Sequence, residues 1–150
     1  MPQAAAAKTI KLTIACHLED IFLIGLATQA FCTYAPFSEV EAYQVQLAIE
    51  EAVANSIEHA YGTQQPEAEV ELWVSFYLDR VVFQVRDRGL TMPGLPRKEL
   101  EFDPSDRQSL PEGGMGLYII QSVMDEVNYS STQGVNDLTM VKFFKNPPAS

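Results

Sequence analysis

SEVEAYQVQLAIEEAVANSIEHAY, residues Ser38–Tyr61, is the stretch from which the rest of the chain can be read. Ser38 followed three residues later by Glu41 is a capping box, in which each side chain satisfies a backbone N–H that the first helical turn leaves open. The helix it opens runs to about Tyr61 and stops at Gly62. Val45, Ile49, Val53, Ile57 and Ala60 form its expected buried stripe. Glu51 and Asn55, one turn apart, share a face opposite the Ile49, Val53 and Ile57 stripe. That face is either the solvated side of an amphipathic helix or the working side of a site. His59, one turn further, reads as structural.

Working outward, Thr9–Cys16 alternates with Ile10, Leu12, Ile14 and Cys16 on one side, a half-buried strand. Glu19–Tyr34 has helical apolar spacing over much of its circumference and ends at Pro36, so it reads as a core helix. Its most apolar part, Ile21–Phe31, is too short to cross a bilayer. Val70–Leu78 and Arg80–Asp87 form a hairpin turning near Asp79. Arg88–Glu112, with four prolines, is a long loop of the kind that serves as a lid or binding loop. A helix over Gly114–Met124 and strands over Glu126–Ser131 and Leu138–Lys145 complete the chain. The order β-α-α-β-β-loop-α-β-β fits one α+β domain over residues 8–145, a two-layer α/β sandwich with helices on one face of a mixed, mainly antiparallel sheet. Residues 1–7 and 146–150 are tails.

The chain has 150 residues, 47% hydrophobic, with 20 acidic against 10 basic side chains and a formal charge of −10. That content supports a proper core, and that charge argues against nucleic-acid binding, since no basic surface offsets phosphate repulsion. Cys16 and Cys32 make neither a metal pattern nor a disulfide framework and read as buried thiols of a cytoplasmic protein. The N-terminal residues lack the basic and apolar regions of a signal peptide, and nothing anchors the chain to a membrane.

Two further segments carry chemistry. In Val85-Arg86-Asp87-Arg88-Gly89, a strand ends in an Asp followed by a turn glycine that lets the backbone approach a ligand. In Glu112-Gly113-Gly114-Met115-Gly116-Leu117, a glycine run opens an apolar helix, offering backbone N–H groups to phosphate. It lacks the G-x-G-x-x-G spacing of a dinucleotide fold and the Gly-Lys-Ser/Thr of a P-loop.

Taken in order, Glu51 to Asn55, Asp87-Arg88-Gly89 and Gly113 to Leu117 resemble the ATP site of the GHKL ATPase/kinase superfamily. The likeness is greatest to its stand-alone anti-sigma factor serine/threonine kinases, including the His-Ala-Tyr ending at residues 59–61, and covers roughly Ile10–Lys145. The second glycine common two residues after the first in that family's first glycine box is Thr91 here. The resemblance implies a Bergerat-type fold, with ATP and Mg²⁺ as cofactors. Asn55 would supply an oxygen to Mg²⁺, Glu51 would act as general base, and Asp87 would accept from the adenine amino group. Gly89, Gly113, Gly114, Gly116 and Leu117 would shape the nucleotide site. A Thr in the last strand, Thr139, would help hold Asp87, although it reads equally as an ordinary strand residue. The implied partners are a STAS-domain antagonist, phosphorylated on Ser or Thr, and a sigma factor or analogous regulator, with a homodimer as the default assembly. Histidine kinases add a helical hairpin before this domain, and about 37 residues before the Asn55 helix leave no room for one. The rival reading is a binding module in which nucleotide tunes a partner without phosphate transfer. Retention of both Glu51 and Asn55 argues for the kinase.

Overall fold

The computed structural model describes residues 6, 8–61, 67–91 and 115–147. Among the described residues, five strands form a single sheet: β1 (Lys8–Ala15), β2 (Glu69–Phe76), β3 (Arg80–Asp87), β4 (Glu126–Thr132) and β5 (Val135–Phe143). Their spatial order is β1-β2-β3-β5-β4. Every pairing among the described residues is antiparallel, so the mixed sheet expected from sequence is antiparallel throughout. Three helices, α1 (Ile21–Tyr34), α2 (Glu39–Asn55) and α3 (Met115–Val123), pack with α2 in contact with both others.

Strand alternation decides which sheet face they cover. Val70, Leu72, Val74 and Phe76 of β2 are buried, as are Val81, Phe83 and Val85 of β3 and Leu138 and Met140 of β5. They meet Ile24, Cys32, Val45, Ile49, Val53 and Ile120 from the helices. Lys11, Trp73, Arg86 and Asp137 stand on the other face, where Arg86 Nε donates to Asp137 Oδ2 at 2.7 Å and the Arg86 guanidinium lies 4.8 Å from the Trp73 ring.

The capping box forms as expected: Glu41 N–H donates to Ser38 Oγ at 3.1 Å and Ser38 N–H to Glu41 Oε1 at 3.3 Å. The α-helical bonding ends at Asn55, and the last turns, Ser56–Tyr61, are π-helical. The structure departs from the core-helix reading of α1. Ile24, Thr28 and Cys32 are buried, whereas Phe22, Leu23 and Leu26 are 68%, 57% and 47% exposed. A two-layer fold supplies one partner layer, and α1 meets it on one side only. Cys16 and Cys32 are free thiols, the first partly and the second fully buried. Burial pushes Cys32 up to about 12, and burial followed by the charges of Asp87 and Glu69 pushes Cys16 up to about 11, so neither thiol is activated. Among the described residues no helix is long and apolar enough to cross a membrane.

Candidate functional site

Asp87 occupies a position that alternation would give to an apolar side chain. It continues the buried row Val81, Phe83, Val85 and is itself 8% exposed. A carboxylate there requires donors. Gly89 N–H donates to its Oδ1 at 3.0 Å and Asn136 Nδ2 donates to the same oxygen at 2.7 Å. Among the described residues both bonds fall on Oδ1, and Oδ2 is the oxygen offered to a ligand.

The amide of Asn136 also donates to the carbonyls of Gly89 at 3.0 Å and Leu90 at 3.2 Å, and its Oδ1 accepts from Thr91 Oγ1 at 3.3 Å. This residue was missed in the sequence because it lies ahead of the expected start of the last strand. Gln133 and Gly134, at φ 54° and 78°, form a tight turn between β4 and β5, and β5 therefore begins at Val135. Asn136 pairs directly with Asp87, and Gln84 with Thr139. Thr139 thus has the opposite parity: it stands on the other sheet face, where its hydroxyl donates to Asp137 Oδ1 at 2.8 Å. The assignment of Thr139 to the Asp87 site is corrected accordingly, and Asn136 fills the place.

Glu51 and Asn55 come together with Gly116. A Cβ on Gly116 would lie 2.6 Å from Glu51 Oε2 and 3.4 and 3.5 Å from the Asn55 amide atoms, so a side chain there would displace the Glu51 carboxylate. Both residues are half-buried rather than on a free solvated face. Desolvation first, then the charges of Glu58 and Glu50, raise the Glu51 carboxyl above the ordinary carboxylate value.

Tyr61 ties the end of this helix to the sheet. Its hydroxyl donates to the Glu69 carbonyl at 3.0 Å and accepts from Arg88 N–H at 2.6 Å, beside Asp87. Between α2 and the sheet runs a cleft lined by Ala52, Asn55, Val85, Asp87, Leu117 and Asn136, among others. Asn55, Asp87 and Leu117, which sequence assigned to one site from three segments, are thereby in one place. Gly89 is the first donor to Asp87. His59 lines the same cleft. Gly113 and Gly114, and residues 92–112 of the expected lid, lie outside the described residues.

The donor set fits a magnesium nucleotide. Mg²⁺ in phosphate sites fills most of its sphere with phosphate and water and needs few protein oxygens, and the Asn55 amide oxygen is one it could use. Gly116, in the first turn of α3, lies against the Glu51 and Asn55 side chains.

An antiparallel sheet roofed by helices on one face, with a buried carboxylate at a helix–sheet cleft, is the architecture of the GHKL ATPase fold. The chain belongs to the histidine kinase-like ATPase domain family, which matches residues 15–142. It is similar to the serine-protein kinase RsbW of Bacillus licheniformis, 28% identical over 142 residues, covering 92% of this chain and 87% of that protein. The RsbW of Bacillus pumilus is 30% identical over 139 residues, covering 89% and 85%. Among solved structures, the RsbU and RsbW domains of a Mycobacterium tuberculosis protein match with a TM-score of 0.61 at 14% identity. That match covers 91% of this chain and 33% of the other, and at this identity it speaks to the fold.

Proposed function

We propose that this chain is an ATP-dependent serine/threonine protein kinase of the anti-sigma-factor type, acting on a STAS-domain antagonist in a partner switch. The observation that carries the reading is the meeting of Glu51, Asn55 and Gly116 beside the cleft that holds Asp87. Asp87 accepts from the adenine amino group. Gly89 lets the backbone run close to the base, and Gly113, Gly114, Gly116 and Leu117 border the phosphates. Asn55 holds Mg²⁺, which neutralises phosphate charge when bound. Glu51 takes the proton of the acceptor Ser or Thr hydroxyl as its oxygen bonds to the γ-phosphorus, and the bond to the bridging oxygen breaks with ADP leaving. The phosphoryl group adds charge to the antagonist's docking surface, and the antagonist is released. The regulator, a sigma factor or an analogue, is then held again. The protein works as a cytoplasmic homodimer, away from nucleic acid and membrane. The uncharged outward stripe of α1, with Phe22, Leu23 and Leu26, supports a protein-binding role.

The test is transfer of labelled γ-phosphate from ATP, with Mg²⁺, to a purified STAS-domain protein. The expected label sits on a Ser or Thr of that protein and disappears on chelation of the metal. Tight binding of ATP and partner with no labelling under any divalent metal would replace the kinase with a binding module.

A further inference from the structure

We propose that Asn136 is a specificity-determining positioning residue: its amide anchors Asp87 Oδ1 so that Oδ2 faces the base edge, and the site thereby selects a purine bearing a 6-amino group. The inference rests on the reading of Asp87 as the adenine contact. Asn136 is 2% exposed and sits directly across the β3–β5 ladder from Asp87. Its orientation is fixed by its neighbours. Nδ2 faces three oxygens, Asp87 Oδ1 at 2.7 Å and the Gly89 and Leu90 carbonyls at 3.0 and 3.2 Å. Its Oδ1 faces the Thr91 hydroxyl, which can donate. The reversed amide would set an oxygen against three acceptors.

The consequence falls on Asp87. Two N–H donors on Oδ1, from Asn136 and Gly89, hold the carboxylate in one rotamer. An ionised carboxylate has no proton to give. Adenine presents an amino donor to Oδ2, whereas guanine and hypoxanthine present an oxo acceptor at the same ring position and meet repulsion. Without Asn136, the carboxylate loses its short bond at Oδ1 and gains freedom to turn away from the base edge, so the repulsion of an oxo group weakens. The same amide also fastens the Gly89–Thr91 turn, so selection and loop placement depend on one side chain.

The experiment compares ADP with inosine diphosphate, which lacks the amino group, by calorimetry with Mg²⁺ present throughout. The wild-type chain should prefer ADP. Asn136→Val, which removes the donor, should cut that preference by roughly tenfold, and Asn136→Thr, whose hydroxyl can donate, should retain most of it. In an Asp87→Asn background the valine change should alter the ratio no further. An equal loss of both affinities in Asn136→Val, with the ratio intact, would reduce Asn136 to a structural role and overturn the inference while leaving the nucleotide site standing. A wild-type chain that binds ADP and inosine diphosphate equally would remove the Asp87 reading, and this inference with it. If the valine variant shows no cooperative melt, Asn136→Leu, close to asparagine in shape and without a donor, takes its place under the same two outcomes.

Discussion

Glu51 is under two opposing demands. In the proposed role of base it must be ionised, yet burial and the charges of Glu58 and Glu50 raise its carboxyl above the ordinary value. A carboxyl raised in the folded chain contributes stability that is fully present below its unfolded value and is lost as pH rises through its folded value. At neutral pH, in the absence of metal and nucleotide, Glu51 is therefore a net cost to folding. Glu51→Gln should lower phosphate transfer by roughly 10²-fold or more while raising the neutral-pH melting temperature. The gain in melting temperature should vanish in acid, once both forms are neutral. Near-normal transfer would remove Glu51 from the mechanism, and a lower melting temperature at neutral pH would contradict the sign. How far such residues were legible differed with their chemistry. Asp87 and Gly89 are a local pattern at the end of a clear strand, and Glu51 with Asn55 is a one-turn pair on a clearly capped helix. Asn136 and Thr139 depend on the parity of β5, which the Gln133-Gly134 turn sets. Gln-Gly is a weaker hairpin signal than Asn-Gly, so the strand's start, and with it which face each residue takes, stayed hidden.

At the scale of the element, the end of the α2 helix matters more than its length. The sequence reads as one helix to Tyr61, and the change from α to π bonding at Ser56 leaves no mark in apolar spacing. Its result is visible only in three dimensions, where Tyr61 bridges the start of β2 and the turn after β3. Tyr61→Phe keeps the ring and removes both bonds, leaving Arg88 N–H and the Glu69 carbonyl without that partner. Urea unfolding should show a loss of about 1–3 kcal/mol, with an unchanged slope if the denatured state is unaffected. Because Arg88 follows Asp87, ADP affinity should fall as well. Full stability in the variant would mean that water replaces the hydroxyl at no cost. The exposed side of α1 was unreadable for a related reason: apolar spacing around a whole helix signals burial, but nothing in the spacing tells whether a second layer covers it.

For the whole molecule, the site joins parts of the chain that hold together only in the folded state. Asn55 comes from a helix, Asp87 and Asn136 from two paired strands, and Leu117 from a helix far along the sequence. An unfolded chain has no such cleft, so nucleotide binds the native state alone and raises its stability by mass action. At 100 times the dissociation constant the gain is about 2.7 kcal/mol. For a chain of 150 residues, each 1 kcal/mol raises the melting temperature by about 2–4 °C. Saturating ATP with Mg²⁺ should therefore raise the midpoint by about 5–10 °C. GTP at the same concentration should give a much smaller rise, because its oxo group meets the acceptor carboxylate of Asp87. Asp87→Asn should fold, since an amide can still accept from Gly89 N–H, yet it should lose most of the ATP shift. Equal shifts with ATP and GTP would show that phosphate and metal carry the affinity without the base. No shift with either at millimolar concentration would mean that the cleft between α2 and the sheet is not a nucleotide site.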